Sequence, residues 1–170
     1  MIDKDIEVRG GAPRQMSAPF DIRPMIESDV PAVRSLVVRT VRTSYHGVYS
    51  PAAIDFFLRY HELDAIRRDL PGVCLIALAD GKLVGTAALV DGEIRRVFVE
   101  PSFQGRGIGR KLVATLIERA RADGVPRLRL DASLVSRRMY RRMGFVLVAE
   151  RVHDLGGGEV LPYHEMVLDL

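Results

Sequence analysis

Three short apolar runs separated by two Asp-Gly pairs constrain the fold of this chain more than any other feature. The runs are Val73–Ala79, Leu83–Val90 and Ile94–Val99, and the pairs are Asp80-Gly81 and Asp91-Gly92. An Asp-Gly pair readily adopts the positive φ angles that a two-residue hairpin turn needs. The middle of the chain is therefore predicted to be an antiparallel meander of three strands.

Helical patterns come before this meander. After a short strand at Phe20–Arg23, valines recur every three or four residues from Val30 to Val41, which predicts a helix with Ser28 as its N-cap. Ser50-Pro51 repeats the signal of a cap followed by proline and predicts a second helix. A shorter helix is expected within residues 62–70, before Pro71-Gly72.

The pattern after the meander alternates between helix and strand. A glycine-rich segment, Gln104–Gly109, opens a helix whose apolar positions continue to Ala120. The elements predicted after it are a strand, a short helix and two further strands: Arg127–Asp131, Ser136–Met143, Phe145–Arg151 and Tyr163–Leu168. The fold class is therefore a mixed α/β domain with helices first, then a meander, then a βαβ crossover.

Length and composition place the chain among small globular domains. Its 170 residues fit one domain at 20–170 after a flexible leader at 1–19, which shows no apolar period. The single cysteine, Cys74, excludes a disulfide framework and lies in an apolar run, so it is predicted to be buried. The longest apolar run has far fewer than the roughly 20 residues of a membrane span. With no signal-peptide core, we expect a soluble, cytoplasmic protein without a membrane partner.

Charge is divided unevenly along the chain. From Arg95 to Arg151 there are 14 basic and 5 acidic residues, a local charge of +9 that leaves −6 for the rest of a chain whose total is +3. A basic half indicates a polyanionic partner, which is a nucleic acid, a membrane surface or a ligand with several phosphates.

The glycine-rich segment favours the last of these. Gly105, Gly107 and Gly109 let the backbone approach a ligand closely, and the N-terminus of the following helix offers unpaired N–H donors. The G-x-G-x-G spacing is not that of a dinucleotide fold, and no Gly-Lys-Ser/Thr follows as a nucleotide phosphate loop requires. A pyrophosphate is the best match, and a tight strand-to-helix turn without a ligand is the alternative.

Two motifs together resemble a known family. Gln104-Gly105-Arg106-Gly107-Ile108-Gly109 is similar to the Arg/Gln-x-x-Gly-x-Gly/Ala signature of the GCN5-related N-acetyltransferases (GNAT), and the segment from Ser133 to Phe145 resembles that family's block ending in Tyr-x-x-x-Gly-Phe. The resemblance implies the GNAT fold, a mostly antiparallel mixed sheet flanked by helices, with a splayed strand pair that holds acetyl-CoA. It also implies transfer of the acetyl group directly to a primary amine of a small molecule or peptide, and it allows a homodimer.

The resemblance assigns cofactor contacts residue by residue. The strand Val97-Phe98-Val99 should pair with the pantetheine arm, and the Val99 amide should face the thioester carbonyl. Ser133 and Ser136 stand where the family often has asparagine and alanine. The loop residues whose backbone amides should hold the pyrophosphate are Gln104, Gly105, Arg106, Gly107, Ile108, Gly109 and Arg110.

A general base is expected to matter more than a general acid. A lysine-like amine with a pKa of about 10.4 costs roughly 4.6 kcal/mol to deprotonate at pH 7, whereas the leaving thiol has a pKa near 8.5. Glu93 precedes Gln104 at the spacing of the catalytic glutamate in family histone acetyltransferases. Strand alternation would place Glu93 on the same face as Val97, towards the cleft. Glu93 would then act on the amine directly or through a water molecule. The alternative is an exposed glutamate paired with Arg95.

The acid and the acceptor contacts are assigned by the resemblance. Tyr140 stands where the family has a tyrosine near the CoA sulfur, as a cofactor contact and general acid, and the alternative is a packing tyrosine. Candidate acceptor contacts are Tyr45, His46, Tyr49 and Arg95, the last of which could hold an anionic acceptor. His153, Tyr163 and His164, on the last strands, are similar candidates. The four histidines show no metal-ligand spacing, so no metal is expected: His46, His61, His153 and His164.

Two other functions stay open on the sequence alone. A CoA-binding regulator without catalysis would carry the same motifs. A nucleic-acid-binding module would use the arginines Arg137, Arg138, Arg141 and Arg142, but only Tyr140 and Phe145 are near them as stacking aromatics. No nucleic acid is therefore expected as a partner.

Overall fold

The two Asp-Gly pairs form the turns of the central meander. In the computed structural model, which describes residues 19–170, Asp80 and Asp91 have φ angles of 48° and 50°. Gly81 and Gly92 follow, each with φ of 73°. Positive φ at both central residues is the geometry of a type I′ turn, which matches the twist of the strands that it joins.

Seven strands and five α-helices make up the described part of the chain. The strands are β1 Asp21–Pro24, β2 Val73–Ala79, β3 Lys82–Val90, β4 Glu93–Val99, β5 Arg127–Ala132, β6 Val146–Gly156 and β7 Glu159–Asp169. The helices are α1 Val30–Ser44, α2 Pro51–Tyr60, α3 Leu63–Arg68, α4 Ile108–Ala122 and α5 Arg137–Arg142.

All seven strands form one sheet in the order β1-β2-β3-β4-β5-β7-β6. Every neighbouring pair is antiparallel except β4 and β5, which are parallel. The connection between β4 and β5 runs through α4, which is the predicted crossover. The predicted mixed, mostly antiparallel sheet flanked by helices is confirmed.

Apolar side chains cover both faces of the sheet. On one face, α4 buries Leu112, Val113 and Leu116 against Leu75 and Ala77 of β2. On the other face, α1 and α3 pack on the alternate residues of β2, such as Cys74 and Ile76. A third cluster joins α1 and α2 to Phe98 of β4 and Leu161 of β7. The candidate site forms beside this third cluster.

A close approach of α4 to the sheet fixes the start of that helix. A side chain at Gly85 of β3 would lie 2.9 Å from Cγ2 of Ile108 and 3.1 Å from Cδ1 of Leu112, so only glycine lets the first turn of α4 pack there. This contact holds the N-terminus of α4 over the end of β4.

Three details differ from the sequence-based expectations. Helix α1 follows Asp29 rather than Ser28, because the Asp29 carboxylate accepts the Ile26 N–H at 2.9 Å and binds Arg23 at 2.7 Å, closing a 3-10 turn first. The last two strands are longer than predicted and form one hairpin that turns at Gly157-Gly158. Apart from Pro19, the predicted leader at 1–19 lies outside the described residues. Among the described residues, no helix is long and apolar enough to cross a membrane.

Candidate active site

The site begins where β4 and β5 part. Their parallel ladder has one paired position, Glu93 with Arg129, and the Arg129 N–H donates to the Gly92 carbonyl at 3.0 Å. Beyond Glu93 the two strands diverge, and two cavities lie along the gap. The splayed strand pair expected of the fold is therefore present.

A bulge at Arg96 is where the ladder between β4 and β3 becomes irregular. Between the pairs Ala88–Arg95 and Thr86–Phe98, β3 has one residue and β4 has two. Arg96 adopts φ of 55°, which is unusual for a residue other than glycine. An extra residue of this kind bends a strand and redirects its side chains, and such bulges are frequent beside active sites.

The bulge changes which side chains share a face of β4. Arg95 and Arg96 are neighbours in sequence, yet both form ion pairs with Asp69, while Ile94 and Val97 both join the cluster on the α4 face. Glu93 therefore lies on the face of Arg95. The prediction that Glu93 shares a face with Val97 is wrong, because regular alternation does not continue through Arg96.

The larger cavity has a volume of about 740 Å³ and is built around the glycine-rich segment. Gly105 and Gly107 have φ angles of 77° and 83°, and a Cβ added at either position would meet no other atom within 4 Å. The first hydrogen bond of α4 is donated by Lys111 to the Gly107 carbonyl. Within residues 19–170, the amides of Gly105, Gly107, Ile108, Gly109 and Arg110 donate no hydrogen bond.

The Gln104 side chain braces this segment against β4. Its amide nitrogen donates to the Val99 carbonyl and to the Ser44 hydroxyl, both at 3.0 Å. The Thr40 hydroxyl also donates to the Val99 carbonyl, at 3.2 Å. Since Glu100 donates to Val84 of β3 at 2.9 Å, alternation directs the backbone groups of Val99 away from β3 and towards the gap.

Positive charge surrounds the larger cavity. Arg110, Arg138 and Arg142 line it, and none of the described residues that line it is acidic. On sequence alone, Arg138 and Arg142 are candidates only for nucleic-acid contacts. They were missed as cofactor contacts because the charge pattern does not show which face of α5 meets the gap. Further lining residues that were missed are Thr40, Ser44, Phe103, Val135 and Met139.

The smaller cavity has a volume of about 240 Å³ and adjoins the larger one. Helix α2 and His61 supply one wall, and the hairpin of β6 and β7 supplies another, with Leu161 between His153 and Tyr163. Residues that line both cavities mark where the two meet: Tyr45, Val97, Phe98, Ser133 and Ser136.

Glu93 lines the smaller cavity, held by two guanidinium groups. Its Oε2 accepts from Arg95 at 2.7 Å and from Arg129 at 3.3 Å. Its Oε1 accepts no hydrogen bond from the described residues, so one carboxylate oxygen is available to a ligand or water. Asp131, on the adjacent strand, also lines the cavity, and burial together with the nearby Glu93 raises its pKa. Sequence reasoning missed Asp131.

Asp69 pairs with both arginines of the bulge. Its Oδ1 lies 3.3 Å from Arg95, and its Oδ2 contacts Arg96. Arg96 is buried, which lowers its pKa to about 10. Its Nε and Nη1 are buried without a partner among the described residues, as is Nε of Arg95.

Tyr140 lines the smaller cavity and not the larger one. Its ring packs edge-on against Phe145, and burial, with a smaller effect of the nearby Tyr45, raises the pKa of its hydroxyl well above the ordinary value. Tyr45 is likewise buried, which raises its pKa to about 12, and a hydrogen bond with Ser133 partly opposes this. The Ser133 and Ser136 hydroxyls lie 2.9 Å apart. Two protonated phenols therefore lie close to the junction of the cavities.

His61 is a neutral imidazole in the cavity wall. Burial, reinforced by Arg96, Arg34 and Arg95, lowers its pKa to about 3. Its ring packs edge-on against Phe98 at 5.1 Å. Sequence reasoning assigned it only a structural or surface role, because a lone histidine after a helix carries no signal of burial.

The predicted site residues fall into three groups. The larger cavity holds the predicted cofactor contacts except Arg106 and Tyr140, and the Arg106 guanidinium instead lies over the Phe103 ring at 4.7 Å. Among the acceptor candidates, Tyr45, Arg95, His153 and Tyr163 line the smaller cavity. The others line neither cavity: His46, Tyr49 and His164.

Physical reasons explain the last group. His46 is exposed on the turn that follows α1. The Tyr49 hydroxyl accepts from the Leu134 N–H at 2.7 Å and donates to the Pro162 carbonyl at 3.3 Å, so Tyr49 connects β7 to the segment after β5. His164 is buried beside Arg137, 3.2 Å from it. Val99 lines only the larger cavity, whereas Val97 lines both cavities.

Comparison with known proteins agrees with this geometry. The family model described as the acetyltransferase (GNAT) family matches residues 38–145, which is more than half of the chain. The chain therefore belongs to the GNAT family, as its motifs predict.

Relatives are similar in fold and in part of their sequence. An IAA acetyltransferase from Azospirillum brasilense is 35% identical over 80 residues, which cover 42% of this chain and 52% of that protein. The chain spans about half the length of the curated relatives it matches. A GCN5-related N-acetyltransferase structure from Rhodopseudomonas palustris, 24% identical, superposes with a TM-score of 0.81 over 88% of this chain and 95% of that one. The protein yncA from Salmonella typhimurium was solved with its cofactor acetyl-CoA; it is 25% identical, with a TM-score of 0.64 over 89% and 94% of the two chains.

The residues of the larger cavity fit the predicted cofactor. CoA carries a pyrophosphate and a 3′-phosphate, and the cavity offers unbonded amides at a helix N-terminus together with three arginines. Gly105 and Gly107 leave the loop backbone uncovered by side chains. The glycine-rich segment thus has the donors and charge that a pyrophosphate requires.

Proposed function

We propose that this protein transfers the acetyl group of acetyl-CoA directly to a primary amine, with Glu93 as general base and Tyr140 as general acid. The observation that carries the proposal is the junction at Val97, Phe98, Ser133 and Ser136. At this junction the larger cavity, which is lined by arginines and suited to CoA, meets the smaller cavity, which is lined by Glu93 and Tyr140. When bound, acetyl-CoA would supply an activated acetyl thioester.

Two separate cavities that share a border support transfer without a covalent enzyme intermediate. Cys74 lines neither cavity; burial raises its pKa to about 11, and its thiol lies 3.2 Å from the Asp69 carbonyl. We propose that the amine occupies the smaller cavity while the pantetheine arm lies along Val97–Val99. A backbone N–H of β4 near the junction would donate to the thioester carbonyl. Val97 lines both cavities, whereas Val99 lines only the larger one.

Two ion pairs of Glu93 support its proposed role as the base. Arg95 and Arg129 fix its Oε2, so that Oε1 can reach an ammonium group directly or through water. Deprotonating an amine with a pKa of about 10.4 costs roughly 4.6 kcal/mol at pH 7, which is why a base is valuable here. Asp131 is the second carboxylate of the cavity and the alternative base.

Tyr140 supports the leaving group mainly by hydrogen bonding. Its raised pKa keeps the phenol protonated at neutral pH, so the hydroxyl can donate. The same raised pKa makes it a weaker acid than the departing thiol, whose pKa is near 8.5. We therefore expect Tyr140 to contribute less to the rate than Glu93.

A CoA-release assay across a panel of amines tests the proposal. We expect Glu93→Gln to lower kcat about 100-fold near neutral pH and to recover at higher pH, where more of the amine is already deprotonated. Tyr140→Phe should lower kcat about tenfold. Asp131→Asn is the matched control, because it removes the other carboxylate of the same cavity.

Each outcome separates the alternatives. Full kcat in Glu93→Gln with a large loss in Asp131→Asn would transfer the role of base to Asp131. Tight acetyl-CoA binding without thiol release for any amine would favour a non-catalytic CoA-binding regulator.

A further inference from the structure

Aromatic rings are concentrated around the smaller cavity. The chain has 5 tyrosines, 6 phenylalanines, 4 histidines and no tryptophan. Nine of these fifteen rings line this one cavity. They extend from an exposed rim, where Tyr60 is 52% exposed, to a floor where Phe98 is 6% exposed.

The aromatic rings line the smaller cavity without filling it. Phe56 stacks on Tyr60 at 5.9 Å and lies 4.7 Å from the His153 ring, which joins α2 to the β6–β7 hairpin at the rim. Deeper, Tyr45 meets Phe57 edge-on at 4.8 Å. Protein interiors are close-packed, with few voids larger than a water molecule. A space of about 240 Å³ among these rings is therefore larger than an ordinary packing gap.

The charges around the cavity argue against an anionic occupant. Arg95 is paired with both Glu93 and Asp69, and Arg96 is paired with Asp69. The unpartnered Nε and Nη1 of Arg96 are buried, so they present no accessible donor. The lining guanidinium groups among the described residues are thus already paired with carboxylates. Asp131 forms no ion pair with these residues, and Oε1 of Glu93 accepts no hydrogen bond from them, so both can face a cation.

The cavity volume limits the size of the occupant. Ligand pockets usually have volumes of about 300–1,000 Å³, so a cavity of about 240 Å³ is small. It can accommodate one ring on a short chain. Contacts between α2 and the β6–β7 hairpin, such as Phe56 with His153, close one side of the cavity.

We infer that the acceptor is a small arylalkylamine, one aromatic ring on a short chain that ends in a primary amine and carries no carboxylate or phosphate. This inference rests on the proposed function, because it names the substrate class of the same site. The ring lies among the aromatic side chains, which favour offset or edge-to-face contacts. The protonated amine lies beside Glu93, where aromatic faces also attract a cation.

A panel of matched amines tests the inference by CoA release. The amines are 2-phenylethylamine, 2-cyclohexylethylamine, n-butylamine, spermidine and L-phenylalanine. We expect kcat/KM for 2-phenylethylamine to exceed that for n-butylamine, spermidine and L-phenylalanine by about tenfold or more, and that for the cyclohexyl analogue by several-fold. Equal or higher kcat/KM for L-phenylalanine, n-butylamine or spermidine would overturn the inference.

A pair of phenylalanine variants locates the effect. Phe56→Ala should raise KM for 2-phenylethylamine about tenfold while leaving KM for acetyl-CoA unchanged. Phe20→Ala is the matched control, since Phe20 is also partly buried but packs against the core below α4. An equal rise of KM in both variants would mean general loosening of the fold rather than loss of a ring contact.

Calorimetric binding of 2-phenylethylamine distinguishes the two proposals. If no amine releases thiol but 2-phenylethylamine binds and Phe56→Ala abolishes binding, the inferred ligand class holds and the proposed transfer fails. If other amines are acetylated but 2-phenylethylamine neither binds nor reacts, the transfer holds and the inferred class fails.

Discussion

The two cavities beside β4 are built in different ways. The larger one presents backbone amides at the start of α4, with Arg110, Arg138 and Arg142 around them. The smaller one is built from aromatic side chains and from ion pairs that centre on Glu93 and Asp69. Backbone donors suit a ligand that every member of the family shares, whereas side chains can change without altering the fold. We therefore propose that the first cavity binds the cofactor and that the second selects the acceptor.

Gly107→Ala tests the backbone-built cavity and has the larger expected effect. A side chain at φ of 83° is strained, and its Cβ would occupy open space at the cavity that Gly107 lines. We expect stability to fall by about 1 kcal/mol and KM for acetyl-CoA to rise about tenfold, with KM for the amine unchanged.

Gly124→Ala is the matched control for that change. Gly124 has φ of 73° and equally open surroundings, but it lies at the opposite end of α4. It should lose similar stability, measured by urea denaturation, and keep the wild-type KM for acetyl-CoA. A matching rise of KM in both variants would show that strain rather than the amide cradle affects binding.

Replacing His61, in the wall of the smaller cavity, should have a smaller effect than Gly107→Ala and should change how stability depends on pH. Its pKa is about 3 in the folded protein and about 6.5 when unfolded. Between these values the unfolded chain binds a proton that the folded chain does not, so stability is complete above pH 6.5 and falls as the pH decreases. Near pH 5 His61 should lower the stability by roughly 1 kcal/mol for each pH unit of acidification.

Denaturation of His61→Phe from pH 7 to 4.5 measures that contribution. This variant should show a shallower loss of stability than wild type, while His46→Phe, a change at an exposed histidine, should keep the wild-type slope. Identical slopes in all three proteins would show that His61 does not remain neutral on folding.

Local signals made most of the fold predictable from sequence. The Asp-Gly pairs placed two turns, and the valine spacing placed α1. The prediction of Ser28 as the N-cap was wrong, because Asp29 forms contacts with Ile26 and Arg23 that no helix pattern reveals. The β6–β7 hairpin was predicted too short, since its outer residues are largely exposed and lack an apolar alternation.

The two cavities differed in how much of each could be predicted. The glycine-rich segment predicted most of the larger cavity, because a contiguous motif supplies its backbone donors. The smaller cavity depends on features that are not local in sequence. The bulge at Arg96 changes which side chains share a face of β4, His61 is buried, and Asp131 lies near Glu93 on the adjacent strand. No spacing in the sequence encodes these three features.

Initial rates with both substrates varied test most directly whether the two cavities are filled together. The amine is the best substrate of the panel, and rates are measured at several fixed concentrations of acetyl-CoA. Because the cavities share a border and Cys74 lies outside both, direct transfer predicts double-reciprocal lines that intersect. Parallel lines, the pattern of a covalent acetyl-enzyme, would contradict the account.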